Sequence, residues 1–356
     1  MQNALRRALF LPILVAALFS CQDSDLHSSI DRVEVTRTLI INFRGELVVV
    51  PYDFPQELFD QSQASFDRYY ALIEEANYAR KNGYKVALTY DDLNSILLPL
   101  IKKYPALSWE KEISEKDLQR IYKDFISITT HEQVMEKLEI IHSYYEALLR
   151  RDAIQAAIIY ENEKGANGRT LFNSPSTLTE PEKNHLLNHP LKAPHYMQAS
   201  ADATQFTISF IDQNNDDGNK GNAFRHSAWN ALAIRYVLLG APCSKNEAIE
   251  FVRKGTSAHE ESLNGGQQKT DNSAMDLHNN MSARRWMESE VSWGIGPFRK
   301  VPNVTEIINK MLERANSCAV QSKLDILNWH GGDNQNTWNH LYNDNTSSHQ
   351  HLVRLK

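Results

Sequence analysis

Between Asn222 and Arg284, three segments set polar side chains at helical spacing inside otherwise apolar stretches: NAFRHSAWNAL, AHEE and MDLHNNMSAR. Burying imidazoles, amides and carboxylates costs free energy unless each finds a partner. The helices that carry these segments must therefore pack together, with their polar residues turned towards one another. His226 and Asn230, four residues apart, share a helix face, and Arg225 and Trp229 share the neighbouring one. On a second helix the apolar progression Ala248, Phe251, Val252, Gly255 carries His259 onto the buried face, with Glu260 about 100 degrees further round. Asp276, Asn280 and Arg284 recur at four-residue intervals on a third, flanked by Asn279 and Leu277. His278, two positions from Asp276, faces away from it and is expected at the surface.

The chain has 356 residues, 42% of them hydrophobic, enough to bury a full core. A net charge of -6 and the lack of any long Lys/Arg stripe argue against nucleic acid as a partner. Arg6 and Arg7 precede an apolar stretch, Leu9 to Leu18, that is too short to span a bilayer permanently. Residues 1–20 therefore read as a signal peptide. Its end, Leu18-Phe19-Ser20-Cys21, resembles the lipobox of bacterial lipoproteins. That resemblance implies lipidation of Cys21 and a lipid-anchored protein of the bacterial envelope, at the outer membrane or cell surface, with 21–32 as a polar tether. Cys243 and Cys318 remain, and either one disulfide or two free thiols fits them.

Residues 33–163 read as a β-hairpin around Arg44-Gly45 followed by helices. These include one from Ser114 through Ile128 and a long one from about Thr130 to Glu163, for which Thr130 is the cap and His131-Glu132 only the first turn. The Gly, Asn, Ser and Pro of 164–178 suggest a linker. Residues 179–327 form a helical domain opened by Thr179-Glu180-Pro181-Glu182, where Thr179 caps and Glu182 is expected to close a capping box. Its helices are expected over 222–239, 245–262, 273–289 and 305–327. Loop 212–222 departs from EF-hand spacing and reads as a solvated loop ending in a cap. The tail, 328–356, has no clear period. Trp229 reads as core; Trp286 and Trp293, near Gly294 and Gly296, are candidates for a cleft wall. The fold class is mainly α, a bundle-like C-terminal domain with a small N-terminal hairpin and a helical N-terminal region.

Two imidazoles and a carboxylate suit one divalent ion, zinc, iron or manganese. His226, His259 and Asp276 are the expected ligands, and Glu260 the base that activates a bound water. His259-Glu260 continues with Glu261 and Ser262, so this is not the zincin motif. Two other readings fit the same residues. The cluster can be a satisfied hydrogen-bond network that only locks the helices, or Glu260 and His226 can act as acid and base without a metal.

LTEPEKNHLLNHPLKA, NAFRHSAWNALAIRY, GTSAHEE and MDLHNNMSAR resemble, in order and spacing, an uncharacterised bacterial domain family found in envelope lipoproteins and in C-terminal modules of secreted toxins. The likeness covers about 178–296. It implies an all-α domain with a site built from Arg225, His226, Asn230, His259, Glu260, Asp276, Asn279, Asn280 and Arg284. Where that family has Gly-Arg after the Asn pair, this chain has Ala283-Arg284. The expectation is a metal-dependent hydrolase of ester or phosphoester bonds, acting on lipid or cell-wall material. Its alternatives are a non-catalytic envelope module and a metal-free glycan-acting enzyme using Glu260.

Overall fold

A computed structural model describes residues 37–78, 86–109, 111–166, 177–211, 217–292, 299–343 and 346–356. The expected signal peptide, Cys21, the tether, most of the linker, part of loop 212–222 and Trp293, Gly294 and Gly296 lie outside these residues.

Thr38–Phe43 (β1) and Glu46–Pro51 (β2) pair antiparallel. Arg44 and Gly45 turn between them at φ 50° and 89°, the positive values a two-residue type I′ hairpin requires. Thirteen α-helices follow among the described residues. They are Gln63–Tyr78 (α1), Tyr90–Ile101 (α2), Glu115–Asp124 (α3), His131–Glu136 (α4), Leu138–Ala166 (α5), Glu180–Asn188 (α6), Ala193–Phe210 (α7), Lys220–Gly240 (α8), Lys245–His259 (α9), Asp271–Glu290 (α10), Val304–Asn316 (α11), Lys323–Trp329 (α12) and Gln335–Asn343 (α13). Ala319–Val320 (β3) and Val353–Arg354 (β4) make a short parallel pair. Reciprocal capping boxes start α2, α4, α9, α11 and α12, each a Thr, Ser or Asn answered three residues later by Asp, Glu or Gln. The fold is mainly α, as the periodicity indicates.

Three expected helices are broken or shortened, two of them because another element takes the chain. The helix from Ser114 stops at Asp124, where Phe125 turns extended, bridges Val48, and lets Ile126 N–H donate to Leu47 O at 3.0 Å. The 130–163 helix is interrupted at Lys137 (φ -109°, ψ 16°). The 305–327 helix divides at Ser317, since β3 must pair with β4 before the Ser322 box restarts α12.

One hydrophobic core runs from Phe43 through α5 to α11 and Leu352. Buried cations tie the residues on either side of the expected linker. Arg150, fully buried on α5, donates Nε to Asn188 O at 2.7 Å and Nη1 to Leu58 O at 2.5 Å. Lys183 on α6 pairs with Glu161 at 2.7 Å, and Lys192 with Glu146 at 3.2 Å. Cys243 is buried and Cys318 half-buried, and both are free thiols, so the candidate disulfide does not form.

α8 and α10 are buried on nearly every face. The outer side of α10 meets a second core, in which Met275 and Leu277 pack with Ile326, Leu327, Trp338 and Leu341 from α12 and α13. His278 belongs to that side and is fully buried, not exposed, because the tail covers it. Its Nε2 donates to His351 O at 3.0 Å, which leaves Nδ1 to accept from His330 Nε2 at 3.1 Å. Burial pushes His278 down to about 3 and His330 to about 4, so both stay neutral in the fold. Unfolded histidine titrates near 6.5. Below that pH the unfolded chain takes up protons that the native state refuses, so stability is present above about pH 6.5 and falls as the pH drops towards 4. A His330→Gln variant removes one such group. Its stability, followed by urea unfolding from pH 7 to 4.5, should fall less steeply than the parent's, by up to about 1.4 kcal/mol per pH unit.

Candidate functional site

α8 presents Asn222, Arg225, His226 and Asn230; α9 ends on His259; α10 presents Asp276, Asn280 and Arg284. The helices are packed so that these side chains meet, but they divide into two sets. Asn230 donates Nδ2 to Asn280 Oδ1 at 2.6 Å and to the His226 carbonyl at 3.0 Å, and its Oδ1 accepts from Arg284 at 2.9 Å and from Thr256 at 3.2 Å. This set crosslinks α8, α9 and α10 through amides, a hydroxyl and the Arg284 guanidinium, all of them buried.

The second set is a compact His226, Glu260 and Asp276 cluster, with one ligand-type atom of each lying within 4.8 Å of the others. His226 stands between the two acids, Nδ1 3.6 Å from Glu260 Oε1 and Nε2 3.6 Å from Asp276 Oδ1. Arg225 Nη2 stands 3.2 Å from His226 Nε2, against one edge of the imidazole. Asn222, its amide nitrogen facing Asp276, donates to Asp276 Oδ1 at 2.7 Å and accepts from Arg225 at 2.9 Å. His226 Nδ1 and Glu260 Oε1 are buried with no hydrogen-bond partner among the described residues. Burial raises both carboxyls well above their usual range, and Asp276's charge adds to the rise at Glu260. Burial, then Arg225 and His259, pushes the imidazole down.

His259 is not in this cluster. It turns to α6, where its Nδ1 donates to Glu182 Oε2 at 3.0 Å. The other Glu182 oxygen accepts from Tyr90 at 2.6 Å and Tyr196 at 2.9 Å, and the carboxylate is fully buried. Both phenols are held well above their ordinary range by burial and by Glu182, so they remain donors. With Nδ1 carrying the proton, His259 Nε2 is the basic nitrogen. His259, with Arg225 and Trp229, lines a cleft of about 460 Å³ walled by α2 and α7.

Glu260 and His259 thus exchange the expected places. The helix ends at His259, three residues short of the expected bound, and Glu260 leaves it at φ -80°, ψ 0°, with its carbonyl held by Tyr342 Oη at 2.7 Å. Glu182 does not close a capping box: Thr179 accepts from its backbone N–H at 3.2 Å while its side chain points inward. Nothing in the local pattern distinguishes that role from a first-turn Glu. Asn279 turns to the tail instead, where it donates to Val353 O and accepts from Val353 N–H, both at 2.9 Å, and so fastens β4. Trp286 packs in the core.

Residues 183–317 match DUF6973, a domain of unknown function. No curated protein and no solved structure matches the chain. The matched segment holds His226, His259, Glu260 and Asp276, while Glu182 stands one residue before it and Tyr90 far upstream.

Gly255 sets the α9 approach to this site. A Cβ there would lie 2.9 Å from Cε2 of the buried Tyr196 ring, whose hydroxyl holds Glu182. Gly255→Ala should lower stability by about 1–2 kcal/mol in urea unfolding, as overpacking outweighs the gain in helix propensity.

Proposed function

We propose that the chain is a metal-assisted hydrolase in which His226, Glu260 and Asp276 hold one divalent cation beside the cleft. The observation that carries this is the spacing of His226 Nδ1 and Glu260 Oε1, buried, unpartnered and 3.6 Å apart. That is too long for a hydrogen bond, and about the separation of two ligands each roughly 2.0–2.2 Å from a tetrahedral ion. A bound cation would also offset the cost of two buried carboxyls. The ion's chemistry is to lower the pKa of a bound water. His259, its tautomer set by Glu182, is the general base facing the cleft, and Arg225 binds an anionic oxygen of an ester or phosphoester.

Purified protein should carry zinc, iron or manganese near stoichiometry by elemental analysis, and Glu260→Gln and Asp276→Asn should lose it. His259→Gln should keep the metal yet lose about 100-fold or more in hydrolysis of p-nitrophenyl ester and phosphodiester substrates. Less than about a tenth of an equivalent of metal after metal-replete growth would sink the reading. Activity that survives exhaustive chelation would instead assign catalysis to Glu260 or His259 without an ion.

We propose also that Cys21 is lipidated and holds the domain at a bacterial envelope membrane, which makes lipid or cell-wall material its substrate. The support is the basic, apolar and Leu-Phe-Ser-Cys succession at the start of the chain. No helix among the described residues is long and apolar enough to cross a membrane. Cys21→Ser should abolish palmitate labelling and release the protein from membranes; persistent labelling overturns the anchor.

A further inference from the structure

A second cavity, of about 300 Å³, lies between α9 and α10 and shares no lining residue with the cleft. Arg253, Arg284 and Arg285 line it together with Glu250 and Glu288, three guanidiniums against two carboxylates. Both carboxylates are engaged. Arg253 binds both oxygens of Glu250, at 2.7 and 2.8 Å, and Arg285 binds Glu288 at 2.7 Å.

Arg284 has no such partner. It is 4% exposed, and its Nη1 reaches only neutral groups, Asn230 Oδ1 at 2.9 Å and Thr256 Oγ1 at 3.3 Å. Its Nη2 is buried with no hydrogen-bond partner, and no carboxylate pairs with it among the described residues. Burial and then the Arg253 charge bring its pKa down to about 9, with the Glu250 carboxylate, already paired to Arg253, opposing only in part, so the side chain remains cationic at neutral pH. A buried charge without a counterion is among the costliest features a fold can carry. The packing lock described above needs only the Nη1 side of this residue, so it does not account for the Nη2 edge.

We infer that this cavity is an anion site, taking a small carboxylate- or phosphate-bearing molecule whose oxygens pair with the incompletely bonded Arg284 guanidinium. Guanidinium offers oxyanions parallel N–H donors, and Arg253 and Arg285 at the cavity wall add positive potential even while paired. The volume suits a small metabolite or a single headgroup, not a polymer. The site is independent of the cation cluster and of the cleft, and stands whether or not the chain hydrolyses anything.

Full-chain protein is titrated calorimetrically with inorganic phosphate and, separately, acetate, at constant ionic strength in a non-coordinating buffer. At least one should bind saturably at a single site. Arg284→Met should weaken it about tenfold or more, whereas binding that Arg225→Met alone removes belongs to the cleft. Should Arg284→Met fail to fold by circular dichroism, Ile249→Trp, which fills the cavity wall with Arg284 intact, must abolish the same binding. The inference is overturned if neither anion binds, if binding survives in folded Arg284→Met or in Ile249→Trp, or if only Arg225→Met removes it.

Discussion

Desolvation of polar groups along the seam between α8, α9 and α10 governs this structure. A typical helix pair buries apolar stripes and leaves charge outside. Here α8 and α10 are covered on nearly every side, so imidazole, amide, carboxyl and guanidinium groups go into the interior with them. Each needs a partner inside, because an orphaned buried group costs about 1–3 kcal/mol. Along one stretch of the seam the protein supplies most of those partners itself: Asn230, Asn280 and Thr256 are joined by hydrogen bonds across all three helices, and only Asn280 Nδ2 among their polar side-chain atoms is left over. At His226 and Glu260 it does not, and at Arg284 it does so on one edge only. His226 Nδ1, Glu260 Oε1, Asn280 Nδ2 and Arg284 Nη2 are all left unpartnered along the seam, and among them the charged or titratable groups carry the larger unmet demand.

The helical spacing of the sequence was enough to bring His226, Asn230, Asp276 and Asn280 together, since residues four apart on a buried helix share a face whatever covers it. It was not enough to place Glu260 or His259. Their roles turn on whether α9 ends at residue 259 or 262, and a boundary shift of that size is within the ordinary uncertainty of reading helix ends. Glu182 was legible as a helix start and illegible as a buried acceptor, because its partners Tyr90 and Tyr196 come from α2 and α7, and no periodicity within one helix reports on another. His278 shows the same limit. Its direction away from Asp276 was readable, but the tail that covers it has no period by which to foresee burial.

The tail and the N-terminal helices therefore matter to the site more than their sequences suggest. Tyr342 of α13 fixes the carbonyl of Glu260 just where α9 ends, and Asn279 fastens β4 to α10 by two hydrogen bonds. Asn279 and Tyr342 act through geometry alone, so a polar residue near a site need not take part in its chemistry. The charged pairs Lys183–Glu161 and Lys192–Glu146 do comparable work at the other boundary. Buried ion pairs return little net stability against well-packed apolar groups, but they discriminate sharply against misdocked arrangements that would strand a charge.

His259 illustrates how far the site reaches beyond the matched segment. Its tautomer depends on Glu182, and Glu182 in turn accepts from Tyr90 on α2. Were α2 undocked, one oxygen of Glu182 would lose its 2.6 Å donor, and the carboxylate that orients the imidazole would be held by one hydrogen bond fewer. The same helix supplies Asp91 and Asn94 to the cleft wall opposite Arg225. Orientation of His259 and shape of the cleft thus both depend on the docking of residues 90–101 against the helices that begin at 180. It follows that the matched segment, 183–317, contains His259 and Tyr196 but not Glu182 or Tyr90, so the hydrogen-bond chain that orients His259 extends beyond it.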